Sequence, residues 1–256
     1  MAKRFPLSLW ACIAALALVF THTTPARAIE TAPQELTVSV ADASLAIKLF
    51  AGQRAGKRPA VIILHGRQGL DKFLPTYTRY AEALAAQGID AALLSYYDEA
   101  DLRMMASSDR SIRQNYFSEH LSVWSERVHE VTRYLSRRQD CTGKVGLLGF
   151  SNGGFLAVAS AAQDPTISAL VVFYAGIAGT QESVKLPPLL AIHGDADRVI
   201  PLASGRALVD RAKALGGEAE LVVYPSLGHS FDFDATRPEA ADALARATSF
   251  LLERLK

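Results

Sequence analysis

Three kinds of residue in this 256-residue chain have the type and setting to do acyl chemistry: a serine between glycines, a histidine behind a glycine, and two aspartates after another. The serine is Ser151, in Leu147-Leu148-Gly149-Phe150-Ser151-Asn152-Gly153-Gly154. A serine hydroxyl is a weak nucleophile. It becomes useful when a sharp strand-to-helix turn lifts its oxygen clear of the fold and a base takes its proton. Gly149 and Gly153 stand two residues either side, where close packing of strand and helix leaves no room for a Cβ. His229, in Gly228-His229-Ser230-Phe231, is the type of base required. Asp195 and Asp197 follow His193-Gly194, and either could hold that base in one tautomer and stabilise its charged form. Either could equally be a turn aspartate bonding its own backbone, so the pattern leaves the two open. A developing oxyanion needs donors. The amide of Asn152, directly after the serine, is one candidate, and the amide of Arg67, in His65-Gly66-Arg67-Gln68-Gly69, is the second.

The elements that would position these residues are legible as hydrophobic patterns. Leu36 to Val40 and Leu45 to Phe50 alternate apolar and polar around Ala41-Asp42-Ala43-Ser44, which predicts an antiparallel hairpin with one wet face. From Ala60 onward the strands become continuous apolar runs of the kind buried on both faces. They are Ala60 to Leu64, Ile89 to Leu94, Val145 to Leu148, Ile167 to Phe173, Leu189 to Ile192 and Ala219 to Tyr224. Helical spacing lies between them: Tyr77 to Ala85, Phe117 to Leu135, Leu202 to Leu215 and Leu244 to Leu255. Alternating strand and helix predicts an α/β fold with a mostly parallel central sheet, helices on both faces and the N-terminal hairpin on one edge. In such sheets ligands bind beyond the carboxyl ends of the strands. Ser151, the aspartates, His229 and the Arg67 turn each stand at such an end.

The first residues read as a secretory signal peptide rather than as part of the fold. Lys3 and Arg4 precede an apolar run from Leu7 to Phe20, and Pro25-Ala26-Arg27-Ala28 supplies the small-x-small ending, so cleavage is expected after Ala28. The run is shorter than the roughly 18 to 20 residues a spanning helix needs. Residues 29–256 then form one domain in a secreted or periplasmic protein with no stable membrane insertion. Of 27 basic and 26 acidic side chains, three basic and no acidic ones fall in the leader, which leaves a net charge of −2. That balance offers no electrostatic footprint for nucleic acid. Cys141 is the one cysteine left, so no internal disulfide is available. His65, His120, His129 and His193 form no cluster at metal-ligand spacing, and no cofactor motif is present. The segment Tyr97 to Gln114 is polar and charged around Met104-Met105, and reads equally as a lid over the site or a solvated connection. The pattern says nothing of oligomeric state.

The motifs together resemble an α/β-hydrolase of the dienelactone hydrolase family, with a serine nucleophile. The resemblance rests on Leu64-His65-Gly66-Arg67-Gln68-Gly69-Leu70, Gly149 to Gly154, His193-Gly194-Asp195-Ala196-Asp197 with Pro201, and Gly228-His229-Ser230-Phe231. It implies a Ser151, Asp197, His229 triad, because the family's acid in HGxxDxxxP is the second of the two aspartates. Departures are informative. Family members carry cysteine where this chain has Ser151, and a glutamate at the position of Gly66. Arginines that grip a dienelactone carboxylate correspond to Glu99 and Phe233. At those points an acidic substrate would meet no counter-charge. The resulting expectation is a serine hydrolase of neutral or apolar carboxylic esters acting on a small-molecule substrate. A peptidase or acyltransferase with the same triad, or a lactone hydrolase, is the alternative.

Overall fold

The computed structural model describes Met1 and residues 32–41, 43–178 and 184–256. The expected leader and its cleavage point therefore lie outside the described residues, apart from Met1.

Chain order gives β1 (Gln34–Ser39), β2 (Ser44–Phe50), β3 (Arg58–Leu64), α1 (Leu74–Ala86), β4 (Asp90–Leu94), α2 (Glu99–Met105) and α3 (Arg110–Ser136). There follow β5 (Cys141–Phe150), α4 (Asn152–Gln163), β6 (Ile167–Phe173), β7 (Leu189–Gly194), α5 (Leu202–Ala214), β8 (Ala219–Tyr224) and α6 (Pro238–Arg254). The strands form one sheet in the order β1-β2-β4-β3-β5-β6-β7-β8. β1 pairs antiparallel with β2, and β2 antiparallel with β4, while every later pairing is parallel. This is the expected mostly parallel sheet with a hairpin on one edge.

Alternation along the buried strands builds two cores. Ala60, Ile62 and Leu64 of β3 face one, with Trp124, Val128, Val131 and Leu135 of α3 and the apolar faces of α4 and α5. Val61 and Ile63 face the other, against Tyr77, Tyr80 and Leu84 of α1 and Ala247 and Leu251 of α6. Strands buried on both faces are what the continuous apolar runs require.

One expectation is corrected: β8 does not share that double burial, because it is the sheet's far edge and most of its residues are only partly covered. Tyr97 to Gln114, left open between a lid and a solvated connection, contains α2 and the first turn of α3. α2 starts with a reciprocal cap, in which the Asp98 side chain accepts the Asp101 amide and the Asp101 side chain accepts the Asp98 amide. Buried Asp101 also accepts the Tyr116 hydroxyl at 2.9 Å, the Trp124 indole N–H at 3.0 Å and Arg127 Nη1 at 2.9 Å, fastening α2 to α3.

Candidate active site

The carboxyl ends of β3, β5, β7 and β8 lie on one edge of the sheet, and the segments just after them carry Arg67, Ser151, Asn152, Asp195, Asp197 and His229. Ser151 directly follows β5 with φ 53° and ψ −116°, a left-handed backbone that side chains rarely adopt. Such strain is of order 1–3 kcal/mol and persists only where the surroundings enforce it. Here the Ser151 amide donates to the Phe173 carbonyl at 3.0 Å, and the Ser151 carbonyl accepts the amides of Gly154 and Phe155 as α4 begins. A Cβ on Gly149 would collide with the Gly153 backbone, and one on Gly153 with the carbonyls of Leu64 and His65. Both glycines are thus required by contact.

His229 Nε2 lies 3.0 Å from Ser151 Oγ, and His229 Nδ1 lies 2.7 Å from Asp197 Oδ2. Asp197 Oδ1 accepts the amides of Val199 at 2.8 Å and Ile200 at 2.9 Å. Burial raises the Asp197 carboxyl, but the His229 hydrogen bond and the two amides outweigh it and hold the group below its ordinary range. It is therefore ionised at neutral pH. The two aspartates left open by spacing alone are told apart by geometry. Exposed Asp195 accepts the Ser226 amide at 2.6 Å instead, tying its turn to the loop that carries His229. The arrangement holds a hydroxyl, an imidazole and a carboxylate in one hydrogen-bonded chain, which can pass a proton from the first to the second while the third steadies the charge.

Arg67 stands in the turn after β3 and Asn152 opens α4, and both line the same cavity as Ser151 and His229. No hydrogen bond from either amide occurs among the described residues. The first amides of a helix have no partner within it and point along the positive end of its dipole, a setting suited to a nascent oxyanion.

Other histidines have plain structural partners. His65 Nδ1 bonds the Gly66 carbonyl at 2.8 Å and its ring stacks on Tyr96 at 4.0 Å. Burial lowers its pKa to about 4, so it is neutral. His193 bonds the Ile200 carbonyl at 2.9 Å. Among the described residues no group of His, Cys, Asp or Glu could hold a metal ion. Cys141 is buried at the start of β5, away from the cavity lining.

Sequence patterns missed a further buried carboxylate close to His229. Asp232, three residues after His229, is fully buried and accepts the hydroxyls of Tyr80 and Tyr174, each at 2.9 Å. Arg79 donates to the Asp232 carbonyl. Tyr174 has a left-handed φ of 40°, and its ring centroid lies 4.5 Å from that of His229. Burial pushes the Asp232 carboxyl up to about 6, against the lowering effect of the two hydroxyls. No motif flags such a group; the one signal was an aspartate amid Phe231 and Phe233.

The cavity has a volume of about 840 Å³. Phe233 lies in its wall, edge-on to Phe73 with centroids 4.8 Å apart. Glu99 is exposed on α2 and pairs with Arg103 instead of lining the cavity. Those two positions supply no positive charge, as the sequence indicates. Elsewhere the lining does include cations: Arg67, Arg110, Arg113 and Arg198. They come from the turn after β3, the start of α3 and the loop after β7, which local patterns do not bring together.

Comparison with known proteins gives the lineage. A relative from Yersinia pestis, whose name places it provisionally among carboxymethylenebutenolidases, is 26% identical over 199 residues, covering 71% of this chain and 72% of its own. Relatives of the same designation from Escherichia coli and Methylorubrum extorquens match over less than half of their length. Among solved structures, a dienelactone hydrolase from Anabaena variabilis superposes with a TM-score of 0.71 at 24% identity, covering 88% of this chain and 100% of that one. An esterase from Thermogutta terrifontis superposes with a TM-score of 0.65 at 18% identity, covering 87% and 94%. These two likenesses speak to the fold. The family model for the dienelactone hydrolase family matches residues 46–256. With that match spanning the sheet from β2 to the last helix, the chain belongs to the dienelactone hydrolase family and has its α/β-hydrolase fold.

Proposed function

We propose that the protein is a serine hydrolase that cleaves carboxylic esters through an acyl-enzyme intermediate. The observation that carries the reading is the unbroken chain from Ser151 Oγ through His229 to Asp197, at 3.0 and 2.7 Å, opening into a cavity large enough for a small-molecule ester. His229 takes the Ser151 proton as the oxygen attacks the acyl carbon, then returns it to the leaving alcohol. Asp197 fixes the tautomer and stabilises the imidazolium. The amides of Asn152 and Arg67 receive the oxyanion, and water releases the acyl group by the same steps in reverse. The uncharged part of the acyl chain packs against the rings of Phe73, Tyr77 and Phe233, which touch one another along the wall. No cofactor enters this scheme.

A fluorophosphonate probe tests the nucleophile. Labelling of the wild type that is lost in Ser151→Ala supports the reading; absence of labelling, or equal labelling of both, defeats it. Aryl esters of increasing acyl length beside short aminoacyl amides then separate an esterase from a peptidase. We further propose export with cleavage after Ala28, from the basic, apolar and small-x-small order of the first residues. N-terminal sequencing of exported protein should begin at Ile29.

A further inference from the structure

The histidine of the hydrogen-bonded chain stands on no long element. His229 lies in the loop between β8 and a single 3₁₀ turn, Phe231–Phe233. Before it, the loop is tied to the turn after β7: Asp195 accepts the Ser226 amide at 2.6 Å, and the Ala196 amide donates to the Leu227 carbonyl at 3.0 Å. After it, the tie is Asp232. Each carboxyl oxygen of this fully buried side chain accepts one phenol O–H, Oδ1 from Tyr174 and Oδ2 from Tyr80 of α1, and Arg79 of α1 donates to its backbone carbonyl.

Stability alone does not ask for this cluster. Phe150, Phe173 and Phe231 pack on its two tyrosines, and a carboxyl buried among them carries a desolvation cost that a leucine of similar size would not. What the carboxyl adds is direction. Apolar contact tolerates small rotations of a ring, whereas a hydrogen bond of 2.9 Å from each phenol fixes both. Burial raises both phenols well above their ordinary range, so they stay protonated and act as fixed donors. The ring so fixed on the side of the histidine is Tyr174, its centroid 4.5 Å from that of His229 and the two planes inclined by 56°. Tyr174 also has a φ of 40°. Among the described residues the other non-glycines with a left-handed backbone are Ser151, Ser226 and Ser230, the proposed nucleophile and two residues of the His229 loop. A bulky side chain seldom takes that conformation, and such strain persists only where the surroundings enforce it.

We propose that Tyr174, oriented by Asp232, is a positioning residue for His229, and that Tyr80 acts on the same base through that carboxyl alone. The proposal rests on the ester-hydrolase reading and adds three residues to its machinery. The Tyr174 ring blocks one direction in which the imidazole could swing off the line from Ser151 Oγ to Asp197. Asp232 holds both that ring and the chain three residues beyond the base.

The leading test is Tyr80→Phe, which keeps the ring and removes one hydroxyl at a residue outside the cavity lining. On an aryl ester, well below the melting temperature, it should lower kcat by roughly tenfold with KM changed by less than about twofold, because a misplaced base slows chemistry without altering substrate contacts. Tyr174→Phe, which frees the nearer ring, should lower kcat by roughly 10- to 100-fold. The double variant should lose less than the product of the two, since both act through one carboxyl. Asp232→Asn, which keeps an oxygen for one of the hydroxyls, should lose less than Asp232→Leu. Proton NMR gives a readout independent of turnover: the resonance of the His229 Nδ1 proton shared with Asp197, identified by its absence in His229→Ala, should broaden or vanish in both tyrosine variants. Should one of these fail to fold, the other decides. An unchanged kcat, or a resonance as sharp as in the wild type, in a folded variant overturns the proposal and leaves the esterase reading standing. Should the wild type turn over no ester, the hydrolase reading falls and the resonance decides: broadened in the variants it keeps the positioning role, and intact it defeats that role as well.

Discussion

The two walls of the cavity are built by different means. The wall at the end of β5 is made by short-range sterics: a left-handed Ser151, glycines that admit no Cβ, and a helix beginning at the next residue. The wall formed by α2 and the start of α3 is made at long range. Its keystone is one buried carboxylate, Asp101, whose partners Tyr116, Trp124 and Arg127 follow it by 15, 23 and 26 residues. In the first wall the backbone itself fixes where the proposed nucleophile points. In the second, side-chain pairing fixes how α2 sits against α3, whose first turn carries Arg110 and Arg113. Reactivity and substrate preference are therefore separable in this molecule, and mutations should divide the same way.

The largest effect belongs to the first wall. Ser151→Ala should lower kcat for an aryl ester by roughly 10⁴- to 10⁶-fold with the melting temperature unchanged or raised, since the variant removes only the reacting oxygen. Asp197→Asn comes next. It leaves the packing intact but removes the charge that orients His229, and a loss of roughly 10⁴-fold in kcat is expected. Asp195→Asn is its internal control, with a change under about threefold, because Asp195 makes no bond to His229 and the asparagine oxygen can still accept the Ser226 amide. Steady-state kinetics on the two variants checks the assignment, and equal losses would undo it.

The same division explains what could be read before the fold was known. Gly149-Phe150-Ser151-Asn152-Gly153 is legible because strand, turn and helix are consecutive in the chain and the steric demand falls on neighbouring residues. The strands were legible as apolar runs, but their order in the sheet, with β4 between β2 and β3, was not. β8 misled because Ala219 to Tyr224 is apolar enough for a central strand, yet nothing packs on its outer edge. Asp197 could not be separated from Asp195 by spacing, since both sit in one turn and only the position of His229, 32 residues on, distinguishes them. The arginines escaped notice for the stronger reason that Arg67, Arg113 and Arg198 come to line one cavity only when three separate segments fold together.

A prediction on the second wall follows. Arg127 is buried and pairs with Asp101 at 2.9 Å, so Arg127→Met leaves a buried carboxylate without its cation. Breaking such a pair from one side costs about 3–5 kcal/mol. Urea unfolding should show that loss. The preference among esters should weaken while fluorophosphonate still labels Ser151, because α2 loosens and the elbow does not. A variant that lost labelling in the folded state would show the walls to be coupled.

The smallest effect tests the buried group three residues after His229, bonded to Tyr80 and Tyr174. Asp232 has its folded pKa raised from 3.8 to about 6 by burial. Between those values the native state binds a proton that the unfolded chain has released, so its contribution to stability is full below about pH 4 and falls as pH rises to about 6. A shift of that size corresponds to about 2–3 kcal/mol. Asp232→Asn keeps an oxygen to accept one tyrosine hydroxyl and carries no titratable proton. The melting temperature of the wild type, measured against that of the variant, should therefore fall across pH 4 to 6 and then run parallel above it. Asp197 contributes the opposite slope, its depressed pKa adding stability that disappears on acidification, but it is present in both proteins and cancels in the comparison. A difference curve flat from pH 4 to 7 would mean that the two tyrosine hydroxyls of Tyr80 and Tyr174 hold Asp232 ionised throughout. The loop carrying His229 would then be tied down by a charge rather than by a proton-sensitive contact.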